Sequence, residues 1–383
     1  SGETPGPTVT VRMGEGGRMS RRVDDNRSET RRAEELMLRA IGLTDGTYPH
    51  PNPRVGAIVL SPDGTVVAER AHAGPGEPHA EVLALADAGG RAGGGTLVTT
   101  LEPCSHHGRT PPCIDAILSA NVATVIIGVE DPDLRVSGSG VLQLREAGIT
   151  VVEGVLPEVV RSADAGYFHH RKTGLPRLTL KMATTIDGQA AAADRTSQWI
   201  TGEEARADAH RLRARSDAVL IGAGTVRADN PRLDVRIDSY TGPQPRPVIV
   251  GGSRPLPVAA TVYDRDPLLF LPEGVKPPDG ISDVIVAPGP DGVDLTTMLK
   301  HLGEMGFVDV LAEGGPTLAG SLLRQRLVDE FVLYLGAKFG AGVGVPAFGG
   351  VFETIDAALD VHITAITTLG PDVRIDATPL EAR

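Results

Sequence analysis

The chain is poor in cysteine, with two in 383 residues, too few for the disulfide framework of a secreted scaffold. Aromatic residues are as scarce, 3% of the whole with a single tryptophan, which leaves few stacking platforms for single-stranded nucleic acid. An excess of positive charge is missing too. Aspartate and glutamate outnumber lysine and arginine by 49 to 37, a formal charge of −12, so no nucleic-acid partner is expected. No apolar run approaches the roughly 20 residues of a membrane-spanning helix, and the N-terminus lacks the apolar core of a secretory signal. A cytoplasmic protein with no membrane partner is the expectation. What is present, 41% hydrophobic and 22% charged residues, is enough for one to three domains with proper cores.

Residues 1–28, rich in Gly, Pro, Ser, Thr and Arg, read as a disordered extension. A helix is predicted over 30–41, with Leu36, Met37, Ala40 and Ile41 on one face. Strands and helices then alternate: strands over 54–60 and 65–69 around the turn 61–64, a helix over 78–88, a strand over 96–100, a helix over 112–120, a strand over 123–128, a helix over 140–147 and a strand over 150–153. A basic, turn-forming segment at 169–176 suggests a boundary, giving domains 29–172 and 173–383. The alternation restarts with strands over 177–183, 218–222, 247–251, 268–271, 308–311 and 330–335. Helices are predicted over 202–215, with Thr201 as N-cap, and over 317–325. Such alternation implies two α/β domains with substantial parallel pairing.

One constellation carries chemistry. Glu77-Pro78-His79-Ala80-Glu81 sets a histidine and a carboxylate at a helix start. Cys104 follows a strand, and Cys113 opens the next helix. His79, Cys104 and Cys113 supply three zinc ligands and leave a fourth position open, as a catalytic site needs. Glu81, not a ligand, is the candidate proton shuttle of a zinc deaminase. The usual deaminase pair is Cys-x-x-Cys, whereas eight residues separate these cysteines. A structural zinc knot completed by His106 or His107 is the competing reading, and a nucleobase or nucleic-acid deaminase with an unrelated C-terminal module is another.

The stretches Pro51-Asn52-Pro53-Arg54-Val55-Gly56, Gly76–Glu81 and Glu102–Cys113 resemble the bifunctional riboflavin-biosynthesis deaminase/reductases, in which a long insert between the cysteines is typical. Lys181–Gly188, Ser197-Gln198-Trp199-Ile200, Thr225–Pro231 and Glu313–Leu318 are similar to the reductase half, and together the likeness spans about 30–375. It implies a cytidine-deaminase-like α/β/α sandwich followed by a dihydrofolate-reductase-like α/β domain. It also implies deamination of 2,5-diamino-6-ribosylamino-4(3H)-pyrimidinone 5′-phosphate, then reduction of the ribosyl to the ribityl chain by NADPH, in a dimer or tetramer. Asn52, His72, His106 and Arg109 would bind the phosphorylated pyrimidine ribotide. Ser197, Arg213, Leu233, Arg236 and Glu313 would bind the reductase substrate, with Lys181 at the reacting sugar unless it merely pairs with Asp187. Ala183, Trp199, Thr225, Asp229, Ser253 and the turn Gly314-Gly315-Pro316-Thr317-Leu318 would hold NADPH, with Arg254 a candidate for its 2′-phosphate. Glycine turns before helices suit phosphates, although the full Rossmann fingerprint is missing. Trp199 has an alternative reading as a core anchor. Asp133 stands where the family has Asn, and its charge disfavours contact with a phosphate.

Overall fold

The computed structural model describes residues 16–107, 110–133, 137–281, 284–289, 292–341, 344–350 and 352–380. The expected alternation resolves into two large sheets, each within its own compact unit. The first unit draws on the described residues of Ser1–Asp45, Val55–His72 and Pro78–Val160, the second on those of Gly46–Arg54, Ala73–Glu77 and Arg161–Arg383.

The first unit contains α1 (Gly16–Gly42), β1 (Gly56–Leu60), β2 (Val66–Ala71), α2 (Ala80–Ala88), β3 (Thr96–Leu101), α3 (Cys113–Ala120), β4 (Thr124–Val129), α4 (Ser139–Glu146) and β5 (Thr150–Val152). Its sheet has the order β2-β1-β3-β4-β5, antiparallel from β2 to β3 and parallel from β3 to β5. Helix α1 begins fourteen residues before the expected start at Thr30. The segment from Gly16 is charged and free of proline, so it can propagate a helix without the apolar stripe that betrays one. The first fifteen residues of the expected disordered extension lie outside the described residues. Gly56 permits the close approach of α1 to β1, since a Cβ there would sit 1.9 Å from the Ala40 carbonyl oxygen.

Two short helices follow, α5 (Pro157–Ala163) and α6 (Ala165–Thr173), so the expected boundary at 169–176 begins inside a helix. The second unit continues with β6 (Arg177–Thr185), β7 (Gln189–Ala191), α7 (Glu203–Arg215), β8 (Ala218–Gly222), α8 (Ala223–Asp229), β9 (Arg246–Val250), β10 (Leu268–Leu271), β11 (Val284–Val286), β12 (Pro288–Gly289), β13 (Gly292–Val293), α9 (Leu295–Glu304), β14 (Asp309–Ala312), α10 (Pro316–Arg324), β15 (Glu330–Gly336), β16 (Val345–Pro346), β17 (Val361–Leu369) and β18 (Asp372–Pro379). Nine of these strands form one sheet, β11-β10-β9-β8-β14-β6-β15-β18-β17, parallel through β15 and closed by an antiparallel hairpin. The continuous apolar runs of β8 and β10 are buried on both faces, as helix-covered parallel strands are. The N-cap of α7 is Gly202, not Thr201, and no side chain caps it.

Segment 46–54 is tied into the second unit by a buried imidazole. His50 Nδ1 meets Asp217 Oδ1 at 2.8 Å, and its Nε2 lies 3.4 Å from Asp164 Oδ1. Asp217 Oδ2 also accepts the backbone N–H groups of Val308 and Asp309 at 2.7 and 2.8 Å. Burial pushes the His50 pKa down, but hydrogen bonds to Asp164 and Asp217 and the charges of Asp217 and Asp309 outweigh it and raise it to about 10. A raised folded value means stability fully present below the ordinary histidine pKa of about 6.5 and lost as pH climbs towards 10. Urea midpoints at pH 6.5 and 9.5 should therefore fall more steeply for the wild type than for His50→Gln. An equal fall in both proteins would remove His50 as the cause.

Candidate active sites

Three elements of the first unit converge on one point. His79 is the extended N-cap of α2, Cys104 lies in the turn after β3, and Cys113 is the first residue of α3 behind Pro112. His79 Nδ1 is 3.1 Å from Cys113 Sγ and 3.5 Å from Cys104 Sγ. All three candidate ligand atoms lie within 4.8 Å of one another, a spacing that suits one tetrahedral ion with bonds of about 2.0–2.3 Å. The hydrogen bond with Cys113 pulls the Cys104 thiol down to about 4, against burial, with His79 helping. The partner thiol of Cys113 is pushed up by that same bond and by burial. Such a pair releases its remaining proton when a cation arrives.

Glu81 sits in the first turn of α2, 3% exposed, and its Oε2 has no hydrogen-bond partner. Burial is the main cause that pushes its carboxyl up to about 7, with Cys104 adding to it and His79 opposing. A carboxyl poised near neutrality can both accept and return a proton. His72 follows β2, is buried, and presents its ring edge-on to His79 at 5.2 Å. The Nδ1 of half-buried His106 has no partner, whereas His107 is exposed. Arg109 lies outside the described residues. Asn52 belongs to segment 46–54, which groups with the second unit.

Sequence reasoning passed over two residues here. Thr110 places its hydroxyl 3.5 Å from His79 Nε2, opposite the face that meets the thiols. Glu102, 2% exposed, accepts backbone N–H groups of Gly138, Gly140 and Val141 at 3.0, 3.0 and 3.3 Å, and of Asp131 at 3.4 Å. It thereby ties the start of α4 to the turn that carries Cys104. Gly140 must be glycine for this, because a Cβ would meet the Pro103 carbonyl oxygen at 2.2 Å.

In the second unit the candidate residues gather at the C-terminal ends of the parallel strands, where ligands of α/β sheets bind. Glu313 follows β14. Arg213, in the last turn of α7, grips it with two hydrogen bonds of 2.5 and 3.0 Å. Lys181, on β6, lies 3.6 Å from Glu313 Oε2. Its partner is thus Glu313. Asp187 instead accepts from Thr185 and from the Gly340 and Ala341 N–H groups. Burial alone would raise the Glu313 carboxyl, but Arg213 and Lys181 hold it down near 2. Glu313→Gln leaves two partly buried cations without their carboxylate, a loss of about 3–5 kcal/mol in unfolding free energy. A depressed folded value also means stability present above the ordinary glutamate pKa of about 4.3 and lost as pH falls towards 2. The Gln variant should lose that acid sensitivity in urea titrations. A midpoint as high as the wild type's would sink the assignment.

Arg236 is exposed and reaches Asp234, while its N–H donates to His210. Ser197 is half-buried. Leu233 is 2% exposed and packs with Val219, Ile221 and Val226, so its side chain is core and only its backbone is free to meet a ligand. Trp199 is 57% exposed beneath the Arg206 guanidinium, 4.6 Å from its ring centre, which rules out the core-anchor reading. Ala183 is half-buried on β6, Asp229 ends α8, and Ser253 and Arg254 are exposed beyond β9.

The adjacent parallel strands β8 and β14 each run through glycine into a helix. Gly315 is the N-cap of α10, Pro316 its first residue, and no side chain caps it. A Cβ on Gly314 would strike Leu318 at 2.9 Å, and one on Gly315 would lie 3.4 Å from Thr225 Oγ1. The turn of residues 314–318 therefore abuts the start of α8.

Fold and sites together define a zinc-dependent deaminase joined to a reductase domain. Residues 30–129 match the cytidine and deoxycytidylate deaminase zinc-binding region, and residues 176–375 match the RibD C-terminal domain. The riboflavin biosynthesis protein RibD of Escherichia coli is 38% identical over 359 residues, 89% of this chain and 97% of its own. That of Mycobacterium tuberculosis is 39% identical over 85% of this chain and 90% of its own. Among solved structures, Acinetobacter baumannii RibD has a TM-score of 0.84 at 33% identity, covering 92% of this chain and all of its own. A Thermotoga maritima diaminohydroxyphosphoribosylaminopyrimidine deaminase/5-amino-6-(5-phosphoribosylamino)uracil reductase has 0.82 at 32%, covering 92% and 99%. The chain belongs to the RibD family, the bifunctional deaminase/reductases of riboflavin biosynthesis, with zinc in the deaminase domain and NADPH in the reductase domain.

Proposed function

We propose that a deaminase domain, residues 29–172, converts 2,5-diamino-6-ribosylamino-4(3H)-pyrimidinone 5′-phosphate to the uracil ribotide, and that a reductase domain, residues 173–383, reduces the ribosyl chain of that product. The observation that carries this reading is the convergence of His79, Cys104 and Cys113 beside the partnerless oxygen of Glu81. Zinc held by the three ligands supplies Lewis acidity that makes water nucleophilic near neutral pH. Glu81 takes one proton from that water and hands it to the ring nitrogen as the water oxygen bonds the amine-bearing carbon, then carries the second proton from the resulting hydroxyl to the amine, so that the carbon–nitrogen bond breaks and ammonia leaves. Asn52, His72, His106 and Arg109 are the residues assigned to the ribotide, whose phosphate suits donors of the imidazole and guanidinium kind.

In the reductase domain NADPH supplies hydride. The turn Gly314–Leu318, with Ala183, Trp199, Thr225, Asp229 and Ser253, holds that cofactor. Ser197, Arg213, Leu233, Arg236 and Glu313 hold the substrate, with Arg236, exposed and paired with Asp234, assigned to its 5-phosphate. Lys181 keeps a proton at Nζ beside the sugar oxygen where negative charge grows, and Glu313 fixes its position. Incubation with the diaminopyrimidinone ribotide, zinc and NADPH tests the whole reading, with ammonia release and NADPH oxidation followed separately. Ammonia without NADPH oxidation would remove the second step, and neither would remove both.

No helix among the described residues is long and apolar enough to cross a membrane, in keeping with a cytoplasmic enzyme. Homo-oligomers are favoured by β17, the outermost strand of the large sheet. Its Val361, Ile363 and Ile366 are 43%, 52% and 66% exposed, and a bare apolar edge strand invites pairing. A second copy is its occupant in this reading. Sedimentation of Ile366→Lys should shift from dimer or tetramer towards monomer, and a wild type that sediments as a monomer would dispose of the idea.

A further inference from the structure

Beneath Lys181 lies a side chain that the reaction described so far does not use. Tyr334, on β15, stands beside Ala183 of β6 in the sheet register, two residues from Lys181 along the strand. Its ring is 1% exposed, and the Lys181 ammonium sits 5.7 Å from its centre. The phenol is fixed from the far side. Its hydroxyl donates to Asp208 Oδ2 at 2.7 Å, and Arg374 Nη1 donates to the same oxygen at 2.7 Å. Arg211 holds the other oxygen of Asp208 at 3.0 and 3.2 Å, and Arg374 is itself braced by Asp376.

We propose that Tyr334 is a positioning residue for the reductase, a neutral aromatic platform that holds the Lys181 ammonium towards the sugar. This rests on the reading of Lys181 as the group at the reacting sugar. The geometry gives Lys181 two anchors. Glu313 is the first, but both of its oxygens are already engaged by Arg213 at shorter distances than the 3.6 Å to Lys181. The π-face of Tyr334 is the second, and attraction of a cation to an aromatic face strengthens where water is excluded. Donation of the phenol proton to a carboxylate enriches the ring in electron density and improves that face. Burial and Asp208 both keep the phenol protonated, so the ring stays neutral beneath the cation. Asp208 and Arg213 lie on one helix, α7, so the network that fixes the ring also fixes the residue that grips Glu313.

Substitutions at Tyr334 and Lys181 in the two-domain zinc-loaded enzyme test this, with deamination in the same preparation as the internal control. Tyr334→Leu should lower kcat of reduction about tenfold or more, with KM for the ribotide and Kd for NADPH within twofold. Tyr334→Phe, which keeps the ring and loses the tether, should recover most of that and fall only about two- to threefold. Lys181→Met should lower kcat by at least about a hundredfold, and adding Tyr334→Leu to it should cost nothing further. Retained reduction in Lys181→Met would overturn the reading of Lys181 itself. Lost reduction there with an unaffected Tyr334→Leu would overturn the platform alone, as would equal losses in Leu and Phe or a loss carried by KM. Should Tyr334→Leu not fold, Tyr334→Met fills similar space without a π-face. A kcat within twofold of wild type in Tyr334→Met would then overturn the platform, and a fall of about tenfold at constant KM would support it.

Discussion

Glu81→Gln should lower deamination by about three orders of magnitude while reduction by the same molecules continues at the wild-type rate. The amide keeps the shape of the side chain and cannot take a proton. Nothing in the fold requires the charge. The Oε2 atom makes no hydrogen bond, and a buried carboxyl oxygen without a partner is a liability to stability. The variant should therefore melt no lower than the wild type, and by this measure the carboxyl is kept for chemistry at the expense of stability. Ammonia release measured beside NADPH oxidation, the latter started from the deaminated ribotide, checks both halves of the claim. Deamination within tenfold of wild type would show that another group moves the proton.

Removal of zinc with a chelator should abolish deamination and spare reduction of the deaminated ribotide. The expected split follows from where the ligands sit. His79, Cys104 and Cys113 all belong to the first unit, whereas Lys181, Arg213 and Glu313 belong to the second. Cys113→Ser should reproduce the chelated enzyme, because a hydroxyl gives up its proton far less readily than a thiol and binds zinc weakly. Zinc added back should restore the stripped wild type and not the variant. Equal loss of both activities on chelation would mean that the metal supports the reductase as well.

The deaminase centre was legible because its chemistry demands particular residue types at helix and strand ends. His79, Glu81, Cys104 and Cys113 could be named from their spacing, and the structure brings their side chains together. Glu102 could not be, since a lone carboxylate before a proline says nothing of the four N–H groups it will collect from residues 131–141. The same holds for Tyr334, whose partner Asp208 lies 126 positions away, beyond any local pattern. A motif marks Leu233 as a substrate contact, and its burial limits that role to the backbone. Most interior strands were found within a residue or two because their apolar runs are buried on both faces. The β17–β18 hairpin was not, although Val361-His362-Ile363-Thr364-Ala365 alternates as a strand does; β17 leaves its apolar and polar residues alike exposed, so no buried apolar run marks it.

The carboxylate of Glu102 has one more consequence. The start of α4 is the kind of place where a free phosphate settles, but it already holds an anion, and that occupant is tethered to the chain. A ligand arriving from solution at micromolar concentration competes with a resident whose effective concentration is in the millimolar range or above. In the function proposed for the first unit, the ribotide phosphate is thus kept from these backbone amides and left to cationic side chains. Its capture should accordingly weaken as ionic strength rises, so that substrate affinity becomes a gauge of the surrounding solution.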